Sequence, residues 1–516
     1  MGRNLVVLDT TFRDGAQSIR AKITSISDAL KAITAISELG VSYLELVFAD
    51  SHNGTQKLVR QALALGLKAK IAAFGRTNPN DVKNIIKLGV PVGVLVGKTR
   101  RWDVEESLKQ NPEDYLQVIK DSIRTLVDAG LEVIFDAEHA FDAWLNGDKD
   151  YARKILLAAA EAGARWIVLC DTNGGMNFRQ AEQAITEVSK IIPLDRLGVH
   201  FHNDRGRASS LSELAWNLGI SHIQGTIGTI GERTGNAAIT TFLPNLISEK
   251  RGVNNFPPNS LKKLCSVYLL VCQALNIKPN PSEPWVGENA FATKVGMHSD
   301  GLTRDPGSYF HAHPKFVGNK KRTELGKGSG ASTLVQVAKE LGLVITKEIA
   351  KEFMDDFNRL CDEGKDLGQA RASFYLWLLG KLGKLPPLPK FEEMYIWDKK
   401  IGQQAIKSKA NLTIVVNGKE IQVEAGGEGP VDALNQALRK ILLPDFSFLK
   451  EVRLADFRPE IFHLELGTAA KVRITATFTN GEECWTVIGV NADFLEAAWG
   501  ALWDAYCYRI TKEEEK

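Results

Sequence analysis

At 516 residues the chain is longer than one hydrophobic core usually organises, which predicts two to four domains. Its 44% hydrophobic and 24% charged residues are the balance of a globular protein in water, and a formal net charge of +2 argues against nucleic acid or an anionic membrane as a partner. No apolar run approaches the ~20 residues of a spanning helix, and Met1 to Asn4 lead into a strand without a signal-peptide pattern, so a cytoplasmic location is expected. The six cysteines lack a C-x-x-C pair and read as reduced, packed thiols.

From residue 4 to about 233, short apolar runs alternate with longer helical patterns. The predicted strands are Leu5 to Thr10, Tyr43 to Phe48, Lys68 to Phe74, Val92 to Val96, Glu132 to Ala137, Trp166 to Asp171, Gly198 to His202 and His222 to Ile227. Between them, segments such as Asp28 to Gly40 and Tyr151 to Gly163 place apolar residues at helical spacing and end in Gly. Eight such units predict an α/β TIM barrel, (β/α)8, with a doubly wound open sheet as the alternative.

A barrel carries its functional groups at the C-terminal ends of its strands. The conspicuous polar residues fall there: Arg13, Asp14 and Gln17 after the first strand, Glu138 after the fifth, Thr172 after the sixth, His200 and His202 on the seventh, and Asn236 after the eighth. Strand side chains alternate faces, so His200 and His202 point the same way with Phe201 opposite, and two imidazoles on one face can hold one metal ion. A lone histidine at a strand end is more often a packed polar residue than a ligand; the surrounding cluster is what favours a site.

Asp9-Thr-Thr-Phe-Arg-Asp-Gly-Ala-Gln17 resembles the first-strand signature of the DRE-TIM metallolyases, the family of the isopropylmalate, homocitrate and citramalate synthases and of hydroxymethylglutaryl-CoA lyase. Cys170 to Gly175, His200 to Asp204, Gly231 to Ala237 and Gly296 to Gly301 resemble later motifs of that family in the same order, and Asp136 to Asp142 looks most like one group of citramalate synthases. The resemblance implies condensation of acetyl-CoA with a 2-oxo acid, pyruvate first, with 2-oxoisovalerate or 2-oxoglutarate (isopropylmalate or homocitrate synthesis) as alternatives. It implies a divalent ion, Mn²⁺, Mg²⁺, Zn²⁺ or Co²⁺, on Asp14, His200 and His202 with Asn236 as a weaker ligand. Arg13 would stabilise charge at the reacting ketone oxygen, Gln17 and Thr172 would bind substrate, and His298 with Glu138 and Tyr309 would serve proton removal from acetyl-CoA. A carbon–carbon lyase and a non-enzymatic amino-acid sensor are the readings of a different class.

Beyond the barrel, taken as residues 1–280, a region of linker subdomains at 281–400 carries His298 and Tyr309 together with the helical patterns Ala331 to Leu341 and Lys347 to Leu360. After the proline-rich Leu385 to Pro389, residues 401–516 read as an α+β domain. Asn417-Gly418 and Asn480-Gly481 mark two hairpins, each associated with an amphipathic helix, Pro430 to Leu442 and Asp493 to Tyr508. This part resembles the regulatory domain of the isopropylmalate and citramalate synthases, which implies a homodimer with an amino-acid effector, isoleucine or leucine.

Overall fold

The computed structural model describes residues 2–49, 53–257, 259–293, 307, 309–323, 325–399, 407–462, 464–480 and 483–515. The chain divides into two structural units, Met1–Phe291 with Phe310–Lys321, and Ala292–Tyr309 with Arg322–Lys516.

In the first unit the alternating pattern produces a closed parallel barrel of eight strands in sequence order. The strands are β1 (Val6–Asp9), β2 (Tyr43–Phe48), β3 (Lys70–Arg76), β4 (Val92–Lys98), β5 (Glu132–Glu138), β6 (Trp166–Asp171), β7 (Leu197–Phe201) and β8 (His222–Gly225). All eight stand where the sequence puts them, apart from shifts of one or two residues at their ends. Local chemistry fixes the helices between them. Ser25 accepts from the Asp28 amide to start Ile26–Leu39, which ends at Gly40 in the left-handed conformation (φ 103°). Asn177 and Gln180 form a reciprocal capping box at the start of Phe178–Val188.

The barrel interior is a packed core rather than a pore: Leu8, Ala72, Val94, Ile134 and Val168 belong to one buried cluster. A Cβ on Gly198 would lie 2.6 Å from His222 Cδ2 and 3.0 Å from a Val168 methyl, so only glycine fits there. His200, two residues on, shares Gly198's inward face and stands at the mouth.

In the second unit, helices Ala331–Glu340, Lys347–Asp362 and Arg371–Lys381 share a core in which Leu334, Phe357 and Phe374 are buried. It also holds a paired β9 (Ala292–Thr293) and β10 (Arg322–Thr323), then two antiparallel three-stranded sheets, each followed by a helix. β11 (Lys390–Lys399), β12 (Lys407–Val416) and β13 (Lys419–Gly427) precede helix Pro430–Leu442; β14 (Arg453–Phe462), β15 (Lys471–Thr479) and β16 (Cys484–Asn491) precede helix Phe494–Glu514. The β12–β13 turn uses Asn417 and Gly418 with φ of 52° and 77°, as a two-residue hairpin requires. β11 and β14 escape sequence reading because both are largely exposed outer strands, so neither shows a clean apolar alternation, and β14 contains Pro459. Pairing of Lys390 with Val415 joins residues 390–399 to the C-terminal sheet, ahead of the expected boundary at 401.

Candidate active site

The site is built on the turn after β1. Asp9 at the strand end accepts from the amide and hydroxyl of Thr11, and the amides of Arg13 and Gly15 return to the Thr10 carbonyl. This tight loop seats Arg13 and Asp14, both buried, at the mouth. Gly231, with φ 147°, lets the loop after β8 approach: a Cβ there would lie 2.3 Å from Asn236 Nδ2 and 3.3 Å from Asp14 Oδ1. Asn236 Nδ2 donates to Asp14 Oδ1 (3.1 Å) and to the Ile230 carbonyl (3.2 Å), while a backbone bridge pairs Asn236 with His202.

Asp14, His200 and His202 each offer one ligand atom, all within 4.8 Å of one another, and all three residues are buried. His200 Nε2 lies 3.6 Å from Asp14 Oδ2. Burial by itself would raise the Asp14 carboxyl, but Arg13, His200 and His202 outweigh it and hold it at about 2. Burial, reinforced by the neighbouring His202, pushes His200 down to about 3, and burial also lowers His202. The result is one carboxylate and two neutral imidazoles, the protonation state a divalent cation requires. Two buried atoms beside this set, His202 Nδ1 and Asn236 Oδ1, have no hydrogen-bond partner among the described residues. Mixed nitrogen and oxygen donors with two orphaned polar atoms beside them fit a divalent metal ion.

Arg13 is oriented from three sides. Its Nε donates to Glu45 Oε2 (2.5 Å), one terminal nitrogen donates to Asp14 Oδ2 (3.0 Å), and the guanidinium lies over the Phe74 ring at 4.0 Å. Burial pushes Glu45 up to about 8 against the pull of Arg13. Thr172 Oγ1 accepts from the His139 amide (2.8 Å), which leaves its own hydroxyl proton to donate. Glu138 is paired with Lys98 at 2.6 Å, directly across the β4–β5 register, and both are about a quarter exposed. Gln17 closes a short 3-10 turn after Asp14, its side chain exposed. Tyr309 belongs to the second unit, with an exposed side chain, and His298 lies outside the described residues.

Sequence reasoning missed Glu45 as the support of Arg13, and Gln224 and Asp136 behind His200. A usable signal was present, since Glu45 and Gln224 are single polar residues inside apolar strands, as though buried for a purpose. Arg100 and Arg101, which follow β4, are paired locally: Arg100 with Asp103 at 2.6 Å, and Arg101 with Glu105 at 3.6 Å.

A parallel barrel with a carboxylate and two imidazoles converging at its C-terminal mouth has the arrangement of a barrel enzyme with a candidate metal-ion centre. Residues 4–271 match the HMGL-like family, 285–365 the homocitrate synthase post-HMGL domain-like family, and 390–509 the LeuA allosteric (dimerisation) domain. The chain belongs to the HMGL-like family, in its branch of (R)-citramalate synthases. It is 33% identical to the (R)-citramalate synthase of Aquifex aeolicus over 100% of this chain and 99% of that one. It is 34% identical to that of Sulfolobus acidocaldarius over 99% and 98%. A 2-isopropylmalate synthase of Methanocaldococcus jannaschii is 28% identical over 99% and 95%. No helix among the described residues is long and apolar enough to cross a membrane.

Proposed function

We propose that this chain is an (R)-citramalate synthase, an acyltransferase that condenses acetyl-CoA with pyruvate and releases CoA, in isoleucine biosynthesis in the cytoplasm. The methyl carbon of acetyl-CoA loses a proton to a base and attacks the ketone carbon of pyruvate; the ketone oxygen gains a proton, and water cleaves the thioester to a carboxylate and free CoA thiol. The observation that carries this reading is the buried cluster of Asp14, His200 and His202 beside Arg13, in a chain similar along its whole length to (R)-citramalate synthases.

A divalent ion, Mn²⁺, Mg²⁺, Zn²⁺ or Co²⁺, held by Asp14, His200 and His202 with Asn236 alongside, would supply Lewis-acid stabilisation of the ketone oxygen. Arg13, fixed by Glu45 and Asp14, holds positive charge ready for that oxygen without reorganising. Thr172 donates its hydroxyl proton to the substrate carboxylate, and Gln17 binds substrate from the rim. Proton removal from acetyl-CoA is assigned to Glu138, His298 and Tyr309, of which Glu138 is ion-paired to Lys98. Residues 390–509 form a homodimer and bind a branched-chain amino acid, isoleucine or leucine, as effector.

The test is release of CoA thiol from acetyl-CoA with pyruvate, 2-oxoisovalerate and 2-oxoglutarate in turn, with the product identified by mass. Pyruvate turned over at least tenfold faster than the others supports the assignment. Preference for 2-oxoisovalerate would transfer the chain to isopropylmalate synthesis, which the 28% identical relative keeps as the second reading. Silence with every acceptor would favour the lyase or sensor.

A further inference from the structure

We infer that Gln224 and Asp136 are positioning residues of the metal site, joined by a hydrogen bond that determines which nitrogen of His200 carries the proton. The inference rests on the reading of Asp14, His200 and His202 as a cation site and deepens it.

Three buried side chains from three strands stand in line. Gln224 Oε1 on β8 lies 2.9 Å from His200 Nδ1 on β7, and Gln224 Nε2 lies 2.7 Å from Asp136 Oδ1 on β5. Their exposures are 1% for Gln224, 5% for His200 and 3% for Asp136, so water does not compete for these bonds. The direction of the chain follows from donor chemistry. A carboxylate oxygen only accepts, so Asp136 takes the amide N–H of Gln224 and turns its carbonyl toward the imidazole. A carbonyl oxygen only accepts as well, so Nδ1 must carry the proton. The lone pair is thereby confined to Nε2, the nitrogen 3.6 Å from Asp14. Gln224 acts through His200 and Asp136 acts through Gln224. Outer partners that fix a ligand's tautomer and ring orientation typically contribute about 10–100-fold to metal affinity.

His222 supplies the internal contrast. It lies on the same strand, two residues before Gln224, and is fully buried, yet neither ring nitrogen has a partner among the described residues. Burial in this barrel therefore does not itself select a tautomer.

The experiment uses the full chain, stripped of metal, in two readouts. Selective ¹⁵N-histidine labelling, tractable with nine histidines, reports the tautomer of His200 after assignment by His200→Gln. Titration with Mn²⁺ followed by electron paramagnetic resonance reports affinity without turnover. We expect the Nδ1–H tautomer in the parent chain. In Gln224→Met the tautomer preference should disappear and Mn²⁺ binding weaken about 10–100-fold. Gln224→Glu keeps an acceptor oxygen at Nδ1, with one proton shared with Asp136 in place of the amide N–H, and should restore most of the affinity. Asp136→Leu removes the acceptor of Gln224 Nε2 and should weaken binding in the same direction, which keeps the test decisive if Gln224→Met does not fold. A parent chain in the Nε2–H tautomer, or variants that fold and bind Mn²⁺ as tightly as the parent, would overturn the positioning role alone. A parent chain that binds no Mn²⁺ would overturn the cation site and this inference with it.

Discussion

His200 and His222 are both buried, both on the inward side of adjacent barrel strands, and both held neutral, with burial pushing each down to about 3. One stands at the C-terminal mouth and the other at the start of β8. His200 has a glutamine on one nitrogen and an aspartate facing the other. His222 packs against Trp166 at a centroid distance of 4.9 Å and Tyr43 at 6.0 Å, with no polar partner on either nitrogen among the described residues. The same side chain in the same core is thus a ligand candidate in one place and an aromatic filler in the other. Convergence of polar groups from different strands, rather than burial or a lowered pKa, separates the two.

The largest effect that should sharpen this contrast is on the mouth. His202→Ala removes one of three convergent donors and should lower kcat for thiol release by at least about 10³-fold, with a melting temperature near that of the parent. Next in size, Glu45→Leu removes the oxygen that accepts from Arg13 Nε and so loosens the guanidinium; a fall of roughly 10²-fold in kcat is expected, the order found on removing one preorganised charge-stabilising donor. KM for pyruvate should move less, because the loss falls on the developing charge.

Acid stability probes both histidines at once. Each has a folded-state pKa below its unfolded value of 6.5, so the unfolded chain binds the extra proton. Their contribution is complete above about pH 6.5 and is lost as pH falls toward 3, at up to ~1.4 kcal/mol per pH unit for each group. Denaturant melts of the parent and His222→Phe between pH 7 and 5 should show the variant gaining stability relative to the parent as the pH falls, because it has lost one group that binds its proton only when unfolded. The smallest effect belongs to His222→Phe at pH 7.5: thiol release within about twofold of the parent, since nothing in the reaction uses that ring. A large loss of turnover there would break the distinction between the two ends of the barrel.

The barrel was legible because short continuous apolar runs, buried on both faces, alternate with helical segments several of which end in glycine, so eight strands could be placed within a residue or two. His200 and His202 were legible as a same-face pair on one strand, whereas Asp14 joined them as a ligand through the resemblance of its loop to a family signature. Glu45 was not, since it becomes visible only when β2 is seen to carry a carboxylate into the interior beneath Arg13, across a register shift between Glu45 and Val47. Gln224 stayed hidden because its partners, His200 and Asp136, are 24 and 88 residues away. In the second unit the hairpin centred on Asn417-Gly418 declared itself through its turn, whereas β11 and β14, exposed along most of their length, offered no alternation to read.

The central claim is that the mouth cluster makes the reaction metal-dependent. Its most direct test follows CoA thiol release from acetyl-CoA and pyruvate by chelator-stripped parent chain and His202→Ala, each before and after Mn²⁺ is returned. Negligible turnover by the stripped parent, recovery with Mn²⁺ and no recovery in the variant are expected. Full turnover by the stripped parent, or by His202→Ala, would contradict the claim.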